Sequence, residues 1–419
     1  MINNKTASLF TKNALVPPRY EDYSFANLPQ AIINLLTNCY ASRKLPNNVF
    51  PKGEFSHVFL ILVDSLGYLS FRRFQKYFSL PKKAIISPLT TIFPSTTAAA
   101  LSTFATGLLP QEHGLFEWRL YLPQVDNIIK TLPFCFEDSR QQDQLIDLGF
   151  SPKKIFFSEP TIYQKLARQK VASFTFNHQD YYKSAFAKIV QKGAKPIPFA
   201  SLSELLVTLN KTVTKITQKY SKTFTFAYLD SLDSIGHKYG PESLYFEAEL
   251  AQIAMMINQF LLQFLQKNSQ SSSLLLITAD HGQIQVNPKK TFYLNRFHKL
   301  KKSLALKADG KPVLATGGPR DVFLHLKKEA DKNNIISYLK KNLINQAEVY
   351  STAQALKMGW FGNRQSSEKF QERLGDILIL PKNNSTIWLD NGEKKVDKLG
   401  HHGGLTAEEM LVPLIAIPF

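Results

Sequence analysis

Three stretches of the chain are unbroken apolar runs of strand length, and each runs into acid. His57-Val-Phe-Leu-Ile-Leu-Val63 ends at Asp64, Thr223-Phe-Thr-Phe-Ala-Tyr-Leu229 at Asp230 and Asp233, and Leu274-Leu-Leu-Ile-Thr-Ala279 at Asp280. Runs without polar alternation fit strands buried on both faces, as in a parallel sheet covered by helices. Between the second and third runs, Leu250, Ile253, Ile257, Phe260, Leu261 and Phe264 recur at helical spacing. This predicts an amphipathic helix over Ser243 to Lys267, with a Ser-rich exit loop at Asn268 to Ser273. Strand, helix and strand in this order imply a right-handed crossover between parallel strands. Open parallel sheets bind ligands at the carboxyl ends of their strands, where these aspartates stand.

A fourth segment changes character part-way. Ile85 to Phe93 is rich in β-branched residues, Pro94 stops it, and after Ser95 and Thr96 the chain becomes Ala-rich from Thr97 to Thr106 and ends at Gly107. That pattern predicts an extended segment, a turn, and a helix carrying Thr97 in its first turn. Ser95 or Thr96 can cap this helix. A hydroxyl among unpaired backbone N–H groups at the positive end of a helix dipole also sits where a phosphate is stabilised, which makes Thr97 a candidate nucleophile.

The remaining elements complete an α/β reading. A helix is expected over Leu28 to Cys39; Asn287 to Gln371 is Lys-rich, with a Gly317-Gly318-Pro319 turn, a strand from Asp321 to Leu326 and a helix from Asn334 to Leu343. The buried-strand pattern returns at Gly375-Asp-Ile-Leu-Ile-Leu380, and a last strand follows over Leu414 to Ile417. The expected fold is a doubly wound, mostly parallel sheet with a smaller α/β cap subdomain inserted. Residues 1–286 and 372–419 form the catalytic core in this reading, and residues 287–371 the cap.

Composition narrows the function classes. With 44% apolar and 12% aromatic residues the chain is a folded globular one, and its net charge of +18 fits either an anionic substrate steered into a cleft or simply solvated lysines. The run Lys289, Lys290, Lys299, Lys301 and Lys302 lacks interleaved aromatics for base stacking, so nucleic acid is not the expected partner. Two unrelated cysteines, Cys39 and Cys135, give neither a disulfide framework nor a thiolate metal site. Met1 to Tyr20 has no apolar signal region and no run reaches membrane-spanning length, so a cytoplasmic location without membrane contact is expected.

The acids acquire partners that suggest metal chemistry. Asp233 and His237 stand four apart, either on one helical face or around a tight turn, His281 follows Asp280, and Gly400-His401-His402-Gly403-Gly404 precedes the last strand. Asp64, Asp233, Asp280, His237, His281 and His402 suffice for two divalent metals, with Thr97 as a shared oxygen ligand. Mixed N and O ligation suits Zn²⁺ best, with Mn²⁺ also compatible. Two such metals can ionise the threonine hydroxyl for in-line attack on phosphorus, giving a phospho-threonine that water then hydrolyses. His113, before Gly114, reads as a turn residue and His178 as structural.

These residues also carry a resemblance. The segment Tyr228 to Pro241, ending Asp-x-x-Gly-His-Lys-Tyr-Gly-Pro, resembles the type I phosphodiesterase and nucleotide pyrophosphatase branch of the alkaline phosphatase superfamily. Pro94-Ser95-Thr96-Thr97, followed by Thr106-Gly107-Leu108-Leu109-Pro110 and His113-Gly114, is similar to that branch's nucleophile segment. The resemblance implies attack by Thr97 rather than Thr96, one metal on Asp64, Thr97, Asp280 and His281, and the other on Asp233, His237 and His402. It selects His402 over His401 for its place before Gly403-Gly404, and implies phosphate esters or nucleotides as substrates. One departure stands out: the branch usually has an Asn shortly after the His-Gly turn to hold a phosphate oxygen, and here Glu117, Trp118 and Arg119 occupy that neighbourhood.

Competing functions separate by residue. A sulfatase would need a Cys-x-Pro-x-Arg type segment, which neither cysteine has. A phosphomonoesterase or phosphomutase on the same metals would call on Arg119 or Arg320 to clamp a terminal phosphate. A non-catalytic anion-binding protein would explain the charge but not the ordered ligands.

Overall fold

The computed structural model describes residues 15–39, 44–267, 272–389 and 395–419. In it the apolar runs become parallel neighbours. Strands β1 (His57–Val63), β2 (Ile85–Thr90), β3 (Ala172–His178), β4 (Lys195–Phe199), β5 (Thr223–Leu229), β6 (Ser273–Thr278) and β7 (Leu411–Pro418) form one sheet in the order β2-β7-β6-β1-β5-β3-β4. All neighbouring pairs run parallel except those of β7, which lies antiparallel between β2 and β6. The crossover from β5 to β6 joins parallel strands as expected, but β1 lies between them.

Register decides what these strands deliver. Val63 pairs with Leu229 and Leu62 with Thr278, so β1, β5 and β6 finish nearly level. The residues that follow, Asp64, Asp230 and Ala279-Asp280, therefore emerge side by side at one sheet edge. Every residue of the three strands is buried, which accounts for their unbroken apolar sequence.

The helices use the signals present in the chain. Helix α1 (Thr97–Thr106) has Thr96 at its N-cap and ends at Gly107 with φ 73°, a left-handed conformation that glycine adopts without steric cost. Thr96 makes no side-chain cap bond; Ser95 Oγ donates instead to the Gly404 carbonyl at 2.9 Å and accepts from the Gly403 amide at 3.0 Å. Helix α2 (Ser231–Tyr239) resolves the Asp233–His237 spacing as one helical face, and α3 (Leu244–Lys267) follows it. Residues 268–271 of the expected Ser-rich exit loop, and residues 1–14 of the N-terminus, lie outside the described residues. Among the described residues no helix is long and apolar enough to cross a membrane.

A second sheet departs from the sequence reading. Thr316–Gly318, Asp321–Leu324, Ile377–Pro381 and Ala347–Ser351 pair antiparallel in the spatial order given. Ile377–Pro381, expected in the last part of the core, thus belongs to the sheet built from the inserted segment. Its apolar run has a two-sided cause: Leu378 and Leu380 pack into the main core, whereas Ile377 and Ile379 pack into a second core with Leu324, Leu339 and Trp388. An apolar run records burial on both faces but not which sheet supplies the hydrogen bonds.

Arg320 fastens this sheet to the main one. It is fully buried in the turn before Asp321, and its Nε and Nη2 each donate at 3.0 Å to the carboxylate of Glu409, just before β7. Arg320→Met leaves a buried carboxylate uncompensated and is expected to cost about 3–5 kcal/mol in urea unfolding. A loss under about 1 kcal/mol, the range of exposed pairs, would show that solvent screens the contact.

Candidate metal centre

The seven ligand candidates arrive from five elements at the level sheet edge. Asp64 follows β1, Asp233 and His237 lie on α2, Asp280 and His281 follow β6, and Thr97 opens α1. His402 follows Gly400–His401, a short strand that pairs with Ile284–Gln285 just beyond His281. The donor atoms of Asp64, Asp280 and His281 all lie within 4.8 Å of one another, as do those of Asp233, His237 and His402. The first group is buried, the second partly so. Thr97 Oγ1 stands 3.1 Å from His281 Nε2 and 3.4 Å from Asp64 Oδ2. His281 and His402 stack at 3.8 Å between ring centroids and so join the two groups.

Hydrogen bonds orient every ring the same way. His237 Nδ1 lies 2.7 Å from the Gly400 carbonyl, His402 Nδ1 2.9 Å from that of Ser95, and His281 Nδ1 3.1 Å from that of Gly282. A carbonyl only accepts, so in each ring the proton is on Nδ1 and the Nε2 lone pair is directed inward. The two Nε2 atoms of His237 and His402 are then 3.2 Å apart, lone pair to lone pair. His281 Nε2 likewise stands 3.4 Å from Asp64 Oδ1 and 3.4 Å from Asp280 Oδ2.

The carboxylates divide their oxygens in the same manner. Asp280 Oδ1 accepts from the amides of Ser65 at 3.2 Å and His281 at 3.0 Å, and Asp64 Oδ2 accepts from the Tyr228 hydroxyl. Asp64 Oδ1 and Asp280 Oδ2 are left buried without a hydrogen-bond partner. Asp233 Oδ1 accepts from Gln283 Nε2 at 2.8 Å and lies 3.7 Å from His402 Nε2, while Oδ2 lies 3.4 Å from His237 Nε2. Inward lone pairs of three imidazoles and orphaned oxygens of buried carboxylates are the donor set a pair of divalent cations requires, so these side chains fit such metals.

The titration behaviour follows from this crowding. Burial lowers His237, His281 and His402 to about 4, so all three rings are neutral at neutral pH. Burial, then the charge of Asp280, raises Asp64 well above its ordinary value, and burial pushes Asp280 up to about 6. Burial would raise Asp233 too, but the facing His237, His402 and His281 hold it below the usual range.

The other sequence candidates fall elsewhere. His401 lines the same cavity and meets His237 edge-on at 5.8 Å, but it belongs to neither donor set. His113 accepts from the Leu115 amide at Nδ1 (3.1 Å) and meets the Thr103 hydroxyl at Nε2 (3.0 Å), a buried neutral ring serving the turn. Arg320 is spent on Glu409. Arg119 pairs with Glu137 at 3.1 Å and lies over the Trp388 ring. Sequence reasoning passed over Gln283 and Lys398 and gave Tyr228 no role; Tyr228 opens the quoted motif, whereas Gln283 and Lys398 carry no pattern. Lys398 lines a cavity of about 1230 Å³ over the site with Thr97, His402, Trp118 and Trp388, and its charge acts on Asp233.

Comparison with known proteins decides the family. The type I phosphodiesterase / nucleotide pyrophosphatase family model matches residues 58–405. The chain belongs to this family. Over 208 residues, 49% of the chain, it is 24% identical to venom phosphodiesterase 2 of Crotalus adamanteus and to human ectonucleotide pyrophosphatase/phosphodiesterase family member 1. The matched stretch covers 24% and 20% of those proteins' own lengths. The fold is shared with murine ectonucleotide pyrophosphatase/phosphodiesterase 5 (TM-score 0.62, 16% identity, 85% of this chain and 87% of that one). It is shared also with the human counterpart (TM-score 0.59, 16% identity, the same coverage). This α/β fold, with its seven-stranded mixed sheet and smaller added sheets, is the alkaline phosphatase-like one expected.

Since His402 directs Nε2 into the donor group and His401 does not, His402→Ala should lower the divalent metal retained after dialysis far more than His401→Ala. Elemental analysis giving the reverse order would put His401 in the centre.

Proposed function

We propose that this family member is a two-metal phosphodiesterase or nucleotide pyrophosphatase that acts through a phospho-threonine on Thr97. The observation that carries the reading is the position of Thr97 Oγ1, against His281 and Asp64 of one donor group and one stacked ring away from His402 of the other. The family relatives named as phosphodiesterases, and an inactive variant of the murine structural neighbour in complex with AMP, support phosphate esters or nucleotides as the substrate class.

The chain's own residues prepare most of the reaction. Thr97 begins α1, so a phosphoryl group over its hydroxyl meets unpaired N–H groups and the positive end of the helix. Its hydroxyl donates toward Asp64 Oδ2, which gives the departing proton a carboxylate to follow. Tyr228 holds that same carboxylate, and Gln283 holds Asp233, so the ligands do not swing as charge develops. Bound divalent cations, Zn²⁺ by the donor set, would lower the hydroxyl pKa and neutralise charge on the phosphoryl oxygens. Attack by Thr97 Oγ1 forms the P–O bond to threonine as the ester P–O bond to the leaving group breaks, and water then cleaves the threonine ester.

A phosphomonoesterase is the second reading, favoured by one observation, the Lys398 ammonium in the cavity. A monoester dianion needs cationic contacts on oxygens that the metals do not reach, and neither arginine considered for this is unpaired. Six lysines line the cavity, but with both of those arginines already paired no guanidinium is left to clamp a terminal phosphate, so diesters should show the higher kcat/KM than matched monoesters. Monoesters winning, with Lys398→Ala removing their advantage, would make the protein a phosphatase. Thr97→Ala should lose at least about 10³-fold in kcat while keeping its metal, since it removes the attacking group and not the six side-chain ligands. Activity surviving in this variant and vanishing in Thr96→Ala would move the nucleophile by one residue.

A further inference from the structure

Where the family's usual phosphate-holding Asn is missing, two acids meet. Glu117 precedes the strand Arg119–Leu122, and Asp321 opens a strand of the second sheet. Both are buried, yet both line the cavity that contains Thr97. The rings of the adjoining Phe116 and Phe323 meet edge to face at 5.5 Å, and on the Glu117 side the Thr131 hydroxyl donates to the Glu117 carbonyl at 3.0 Å. Asp321 Oδ1 accepts from the Gly318 amide at 3.1 Å and stands so close to Gly403 (φ +119°) that a Cβ there would lie 2.3 Å away. Asp321 Oδ2, equally buried, receives no N–H or O–H from its surroundings, and the Glu117 carboxyl lies within hydrogen-bonding reach of the Asp321 carboxyl.

Two carboxylates cannot hydrogen-bond each other, so this contact needs a proton. The neighbouring charges do not remove that need. Arg119, on Glu117's own segment, is paired with Glu137, and on the Asp321 side Glu409 adds negative charge that Arg320 balances. Burial pushes Glu117 up to about 7, and burial followed by the charge of Glu117 raises Asp321 well above its ordinary value. Two carboxyls in contact therefore keep at least one proton between them, and an arriving anion would favour a second.

We propose that the Glu117–Asp321 pair is the hydrogen-bond donor of this site, a protonated carboxyl that holds a phosphoryl oxygen of the substrate over Thr97. A neutral acid here does what an amide does elsewhere, with the difference that alkali switches it off. The inference rests on the phosphate-ester reading above and goes beyond it, since it assigns a pH-dependent contact to residues outside the metal centre.

The test uses metal-loaded protein. Calorimetric binding of bis(4-nitrophenyl) phosphate to Thr97→Ala, in buffers of different ionisation enthalpy, should show proton uptake near neutral pH. This probe does not itself titrate there, and adding Glu117→Gln should abolish the uptake. In the otherwise wild-type chain Glu117→Gln, which keeps an N–H donor, should stay within about tenfold of wild-type kcat/KM and lose activity less steeply at alkaline pH, whereas Glu117→Ala should fall by about 10²–10³. Equal losses in the two variants with an unchanged pH profile, or proton uptake that persists with Glu117→Gln, would overturn the proposal. A wild type that binds the diester with this uptake but never cleaves it would overturn the catalytic reading and uphold this one.

Discussion

The structure depends on the level finish of three parallel strands. With β1, β5 and β6 ending together, Asp64, Asp280 and the α2 pair Asp233 and His237 are forced into one small volume. Like groups so placed repel, and burial strengthens the repulsion because water is not there to screen it. The raised Asp64 and Asp280 and the two imidazole lone pairs at 3.2 Å are local signs of that strain on the charge distribution. Divalent cations held there would remove it, which would link metal binding to the integrity of this sheet edge.

Around the centre the same division of labour repeats. Each imidazole gives Nδ1–H to a backbone carbonyl, and Asp64 and Asp280 each give one oxygen to a protein donor, leaving the other atom for the site. Two of those carbonyls belong to Ser95 and Gly400, on the segments before Thr97 and His402, so orienting the rings also ties the Thr97 segment to His402. The second sheet is fastened by Arg320–Glu409 and brings Asp321 to the cavity wall, where Trp388 of the separate short strand Ile387–Trp388 also lies.

Much of this was legible in the chain because burial writes itself into composition. Unbroken apolar runs marked β1, β5 and β6 to within a residue, and the acid after each gave the ligand candidates. The i, i+4 spacing of Asp233 and His237 was compatible with helix or turn, and only the fold decides for helix. Ile377–Pro381 was misplaced because its alternate faces serve two cores, a case in which pattern reports burial and conceals partnership. Gln283, Lys398 and the Glu117–Asp321 contact were not legible: each depends on which side chain meets which across distant segments, and no periodicity encodes that.

The central claim is that Thr97 Oγ1 attacks phosphorus at the centre formed by these two donor groups. Its most direct test is to quench the metal-loaded enzyme in acid during turnover of bis(4-nitrophenyl) phosphate and to map the modified peptide by mass spectrometry. The account predicts a nitrophenyl-phosphoryl group on Thr97, formed and lost at rates compatible with turnover. A turning-over enzyme that carries no phosphoryl group on any residue, or carries it on another hydroxyl such as Thr96, would contradict it.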